Sequence, residues 1–170
     1  KKQSIEITPE LIQELPKTEL HCHLDGSLRP ETLIELAAKR DVSLLADEPE
    51  ALKQKMGLGA IHENLVEYLK AFGTTTAVMQ HRDDIHRVAY ELAEDNAKEN
   101  VLYMEQRYCP TLSARQGLRI DEVMDVWRAG IRDAEHDFGI MSKMIVCGLR
   151  NLPNHESMQL AALTVLYKGR

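Results

Sequence analysis

Apolar positions along the chain switch between two spacings. Thr18 to Leu24 reads with period two, Val101 to Tyr108 is a β-type run stopped by Pro110, and Ile140 to Leu149 reads as a third strand. Between them the spacing lengthens to that of helices. Ile85, Val88, Ala89, Leu92 and Ala93 follow i, i+3, i+4, i+7 and i+8. Val123, Val126, Trp127 and Ile131 form a similar stripe after Asp121, the expected N-cap. Leu65, Leu69 and Phe72 mark one face of a helix from about Ile61 to Met79. Further helices are predicted from Thr8-Pro9-Glu10 to about Leu15, from Pro30 to Arg40, from Asp47-Glu48-Pro49 to Met56, and from His155 to Lys168, closed by Gly169. The order strand, helices, strand, helix, strand, helix implies an α/β fold with a parallel sheet and right-handed crossovers. No linker or repeat interrupts it, so residues 1–170 read as one unit.

Composition narrows the partners. With 27 acidic against 21 basic residues the net charge is −6, which argues against a nucleic-acid surface built on clustered Lys and Arg. No apolar run approaches the ~20 residues of a membrane span. Lys1-Lys2-Gln3 leads into an acidic rather than an apolar stretch, so no signal peptide is read there. Cys22, Cys109 and Cys147 are odd in number and lack C-x-x-C spacing, which argues against a disulfide framework and a thiolate zinc site. A cytoplasmic protein is the expectation.

The segment with chemistry in it is Glu19-Leu20-His21-Cys22-His23-Leu24-Asp25-Gly26. Strand alternation places Glu19, His21, His23 and Asp25 on one face and Leu20, Cys22 and Leu24 on the other. A parallel strand is normally apolar on both faces. Burying four polar groups unpaired would cost several kcal/mol each by typical estimates. A divalent metal held by His21 and His23 removes that cost, because neutral imidazoles are metal ligands. The C-terminal end of a parallel strand, where Asp25-Gly26 falls, is where ligands gather.

Leu15-Pro16-Lys17-Thr18-Glu19-Leu20-His21-Cys22-His23-Leu24-Asp25-Gly26-Ser27, followed by Pro30-Glu31-Thr32, resembles the opening signature of the adenosine deaminase family. Tyr103-Met104-Glu105-Gln106-Arg107-Tyr108-Cys109-Pro110 is similar to a second family run, and Asp137-Phe138-Gly139 fits before the third strand. The resemblance covers essentially the whole chain. It implies the N-terminal part, about three βα units plus extra helices, of a (βα)8 TIM-type barrel. It also implies zinc-dependent hydrolysis of the 6-amino group of adenosine or deoxyadenosine to inosine or deoxyinosine and ammonia. On that resemblance His21 and His23 are zinc ligands, and His23 and Asp25 contact the substrate, Asp25 through a ribose hydroxyl. Leu65, Tyr68 and Phe72 would line an apolar pocket wall, although their i, i+3, i+7 spacing also suits plain helix core. Glu105 and Arg107 read as a structural ion pair inside the barrel. Cys22 reads as a core thiol, Cys147 as a strand residue, and Cys109 as a candidate for exposure at the barrel mouth. His62, His81, His86, His136 and His155 read as surface residues.

Other parts of the family's machinery, a His-Ala-Gly-Glu run, a further His and an Asp pair, come in the family on later strands, five, six and eight, and no His-Ala-Gly-Glu run occurs in this sequence. No catalytic acid or base is therefore assigned within these 170 residues, which are expected to be inactive alone. The expected partners are a small purine nucleoside and the remainder of the same barrel. Arg170 is expected not to be the natural C-terminus, since it falls in the turn before a fourth strand. Three alternatives stand behind this reading. An adenine or other aminopurine deaminase of the same superfamily is disfavoured by Asp25, where free-base enzymes tend to carry Glu. A metal-dependent phosphoesterase of the PHP type is disfavoured because Leu24-Asp25-Gly26 follows His23 directly. The third is a non-catalytic truncated barrel. The cytidine-type route needs a P-C-x-x-C run, which the sequence lacks.

Overall fold

The computed structural model describes residues 6–56 and 65–169, with residues 65–71 in backbone only. The chain runs α1 (Pro9–Glu14), β1 (Lys17–His23), α2 (Pro30–Lys39), α3 (Pro49–Met56), α4 (Leu65–Val78), α5 (Arg82–Lys98), β2 (Val101–Tyr108), α6 (Ile120–Phe138), β3 (Met141–Val146) and α7 (Asn154–Tyr167). Short 3₁₀ turns follow β1 at Leu24–Gly26 and β2 at Pro110–Ser113. The three strands form a parallel sheet in the order β1-β2-β3, each next to its neighbour in sequence. All three strands therefore end on the same side, and the residues there converge.

Why the helices lie where they do follows from their stripes. Ile85, Val88, Ala89, Leu92 and Ala93 of α5 pack with Val123, Val126, Trp127, Ile131 and Ala134 of α6 in one buried cluster. On β2, Met104, Gln106 and Tyr108 are buried, while Tyr103, Glu105 and Arg107 alternate onto a half-open face. The two faces of this strand thus differ in kind: one is helix-covered core, the other polar. Arg29 anchors α2 to α5 through Asp95 (2.9 Å) and Glu94 (2.7 Å). Among the described residues no helix is long and apolar enough to cross a membrane.

Four sequence expectations need correction. The cap of α6 is Arg119, not Asp121; the Arg119 backbone N–H donates to the Glu122 carboxylate at 2.9 Å, and Asp121 lies in the first turn. The third strand ends at Val146, because beyond Cys147 the chain leaves the sheet through Gly148 and turns at Leu149–Leu152. Asp25 is not a strand residue but sits in the 3₁₀ turn after β1. The fourth concerns the polar face of β1. Its pairing with β2 slips between Lys17 and Thr18 and again between Glu19 and Cys22, so Glu19 pairs with Met104 and Cys22 with Gln106. An extra residue on one strand breaks strict alternation. Glu19 is therefore out of line with the two histidines, and its carboxylate accepts the His21 backbone N–H at 2.8 Å. Of the helix expected from Ile61, residues 61–64 lie outside the described residues, as does His62.

Candidate active site

The end of β1 brings the two histidines together. The His21 and His23 ring centroids are 5.4 Å apart and the planes are tilted by 39°. Both residues are exposed. His23 pairs in register with Arg107 of β2, and Arg107 with Ile145 of β3, forming one row across the sheet. Burial holds His23 below the usual histidine range, and the charges of Arg107 and His21 push the same way. A neutral imidazole is the form that binds a metal.

Asp25 sits beside this pair but is only 7% exposed. Its Oδ1 is 3.8 Å from His23 Nδ1, and burial pushes its carboxyl up to about 6. A carboxylate removed from water without a strong cation gains from any donor that reaches it. Gly26 follows because the backbone there meets the Phe72 ring. A Cβ at Gly26 would stand 3.2 Å from Phe72 Cε1. Phe72 also meets the His23 ring edge-on, with centroids 6.3 Å apart. The structure thus brings His21, His23, Asp25 and Phe72 to one place. The side chains of Leu65 and Tyr68 lie outside those described.

Glu105 and Arg107 do not form the expected ion pair. Glu105 accepts the Tyr103 hydroxyl at 2.8 Å. Arg107 instead meets His21, its Nη1 lying 2.8 Å from Nε2 and 3.0 Å from Nδ1, and its Nη2 lies 3.6 Å from Cys147 Sγ. Alternation along β2 keeps the two side chains on the same face, but the Glu105 carboxylate is taken by Tyr103 on one side and Arg107 turns toward His21 on β1 and Cys147 just past β3. Cys109 is buried rather than exposed, and burial raises its thiol pKa. Cys22 packs against the helix-side core, as expected of a core thiol. The contacts of Arg107 and Cys147 were not readable from the sequence. The period of β2 and β3 shows which face each occupies, but the register that makes them neighbours does not appear in either segment alone.

Among the described residues no group of three or more His, Cys, Asp or Glu is arranged to hold a metal. The donor chemistry of His21 and His23 nonetheless fits a divalent ion: two adjacent imidazoles, open on one side, at a strand end. A three-stranded parallel sheet with helices in its crossovers is the arrangement found in part of a βα barrel. The sequence pattern of the adenosine deaminase family matches residues 16–170, and the chain belongs to that family. It is 39% identical over 158 residues to the adenosine deaminase of Clostridium acetobutylicum, covering 93% of this chain and 47% of the relative. An amidohydrolase from Burkholderia ambifaria with bound Zn superposes with a TM-score of 0.78 at 26% identity, covering 99% of this chain and 46% of that one. Arabidopsis ADAL complexed with GMP gives a TM-score of 0.76 at 31% identity, covering 92% and 47%. The chain spans about half the length of these relatives, so what is seen is a partial barrel.

Proposed function

We propose that the protein carrying this chain is a zinc-dependent hydrolase that deaminates adenosine or deoxyadenosine, releasing ammonia. The observation that carries the reading is the His21–His23 pair at 5.4 Å, with Asp25 buried alongside, at the end of the first barrel strand. His21 and His23 would hold the ion. When bound, zinc lowers the pKa of a bound water to about 7 and so supplies a nucleophile at neutral pH. Phe72 walls one side of the site, edge-on to the His23 ring. Asp25, held in a dry setting, accepts a hydroxyl of the sugar and so orients the purine toward the histidines. Two imidazoles are fewer than the three or more protein ligands usual at a catalytic zinc. In this reading the other ligands, and the acid that protonates the purine ring, come from polypeptide beyond these residues, and the 170 residues alone are inactive. Cytoplasmic residence fits the cysteine usage.

The test is ammonia release by the complete polypeptide supplied with adenosine, deoxyadenosine, adenine or adenosine monophosphate. Adenosine and deoxyadenosine are expected to turn over, and His23→Ala is expected to abolish turnover. Conversion of adenine or the monophosphate with adenosine untouched would overturn the nucleoside assignment. Full activity in His23→Ala would overturn the metal reading.

A further inference from the structure

Gln80 lies in the link between α4 and α5 and is only 4% exposed. Its amide is engaged on three sides. Nε2 donates to the Thr76 carbonyl at 2.6 Å and to the Leu112 carbonyl at 2.9 Å, and Oε1 accepts the Arg115 backbone N–H at 3.2 Å. A primary amide has two N–H donors, and both are committed here. Leu112 belongs to the 3₁₀ turn after β2, and Arg115 follows that turn. One buried side chain therefore joins the end of α4 to the connection between β2 and α6.

The bonds run on to the candidate site. Thr76 is buried, and its hydroxyl donates to the Phe72 carbonyl at 2.7 Å. Phe72 in turn meets the His23 ring and packs on Gly26, the residue after Asp25. At the other end, Ser113 of the turn shares a 2.6 Å hydrogen bond with the Tyr108 hydroxyl at the end of β2, both residues being buried. The end of β2, its turn, Gln80, Thr76 and Phe72 are thus one connected set. Buried polar networks whose members are satisfied rigidify the parts that they join.

We propose that Gln80 is a positioning residue that clamps α4 to the turn after β2 and so holds the Phe72 ring against the candidate site. The inference rests on the deaminase reading above, in which Phe72 walls the place of the substrate. None of the three Gln80 bonds goes to His21, His23 or Asp25, so its effect passes through α4 and Phe72.

The test is steady-state ammonia release from adenosine by the complete polypeptide, with zinc content and melting temperature measured on each variant. Gln80→Met keeps the length of the side chain and removes all three hydrogen bonds. It is expected to lower kcat/KM about tenfold, less than the roughly hundredfold cost of a misplacement of about 1 Å, with zinc content unchanged. The loss is expected in KM, because a wall meets the substrate in the ground state and the transition state alike. Phe72→Leu separates positioning from plain stability. If Gln80 acts through the ring, adding Gln80→Met to Phe72→Leu costs little further kcat/KM, while the melting temperature still falls. Equal kinetic losses in both backgrounds, loss of zinc, or wild-type kinetics in a destabilised Gln80→Met would overturn the proposal. Where Gln80→Met does not fold, Gln80→Glu decides, since burial favours its neutral form, which keeps the acceptor and one donor. A rise in KM that vanishes in the Phe72→Leu background supports the clamp, and a KM unchanged or raised equally in both overturns it. Two outcomes reach the reading beneath. Wild type that releases no ammonia from adenosine removes the deaminase assignment, and unchanged kinetics in Phe72→Leu alone removes the wall, and the clamp falls with either. A raised KM in Phe72→Leu to which Gln80→Met adds its full loss removes the clamp alone.

Discussion

The Trp127 indole Nε1–H donates to Gln106 Oε1 at 2.9 Å, joining helix α6 to strand β2 through a fully buried polar contact. Gln106 passes the link on, its Nε2 donating to the Ala89 carbonyl of α5 at 3.1 Å. One side chain thus ties the central strand to both covering helices. Removing it leaves the buried Trp127 N–H without a partner, while the Ala89 carbonyl keeps its bond within α5. Gln106→Leu is expected to destabilise by about 1–3 kcal/mol for the stranded indole N–H. Urea unfolding of the variant would check this, and an unchanged midpoint would contradict it.

Gly130 lies where α6 crosses α5. A Cβ there would stand 2.4 Å from the His86 carbonyl oxygen and 3.0 Å from Ala89 Cβ. Alanine would raise helix propensity by about 1 kcal/mol. The backbone oxygen cannot yield without moving α5, so the clash outweighs the gain. Gly130→Ala is expected to cost about 1–3 kcal/mol, as overpacking does. Its melting temperature is therefore expected to fall. A rise would mean that the helices separate at little cost.

A cluster of charge joins the end of α2 to the start of α5. Arg40 Nε donates to buried Asp84 at 2.6 Å and Arg40 Nη2 to Asp83 at 2.9 Å, while Lys39 bonds both carboxylates. The Lys39 hydrogen bond holds the Asp83 carboxyl below the usual carboxylate range. A depressed folded-state pKa stabilises the fold fully above the unfolded value of about 3.9, and the contribution is lost as pH falls through the lower folded value. Asp83 is largely exposed, so solvent screening keeps the effect small. Asp83→Asn is expected to move the acid-unfolding midpoint to slightly higher pH, and high salt to shrink the difference. Acid titrations followed by circular dichroism at two salt concentrations would test both.

What was legible in the sequence follows the strength of local signals. Strand β2 is readable to the residue, Val101–Tyr108, because Asn100 ahead of it takes the left-handed conformation that Asn tolerates (φ 58°) and Pro110 stops it. The His21–His23 pair is readable because two residues of strand return a side chain to the same face. The slip in register within β1 is not, since neither Leu20 nor His21 signals a bulge. That slip removed Glu19 from the expected polar row. The partners of Arg107 were equally hidden, because contacts between strands depend on how far each slides along the other. Phe72 carried two readings, core or pocket wall, and its spacing fits both. Only its place against His23 and Gly26 sets it beside the site.

The same neighbourhood gives the sharpest test of substrate contact. Asp25 is buried, close to His23, and borne on a turn whose next residue, Gly26, packs directly on Phe72. Replacement by Ala would open a hole in a tight turn and confuse binding with folding. Asparagine keeps the shape and one acceptor oxygen while removing the charge. If Asp25 accepts a sugar hydroxyl, Asp25→Asn in the complete polypeptide should lower kcat/KM for adenosine about ten- to a hundredfold, the worth of a hydrogen bond to a charged group. The loss should fall mainly on KM, because a sugar contact is made in the ground state as well as the transition state. A substrate without the matching hydroxyl should lose little on the same substitution. Kinetics with adenosine and with its 5′-deoxy and 3′-deoxy analogues would identify which hydroxyl is held. An equal loss for every analogue would instead place Asp25 in support of His23, with no direct contact to the sugar.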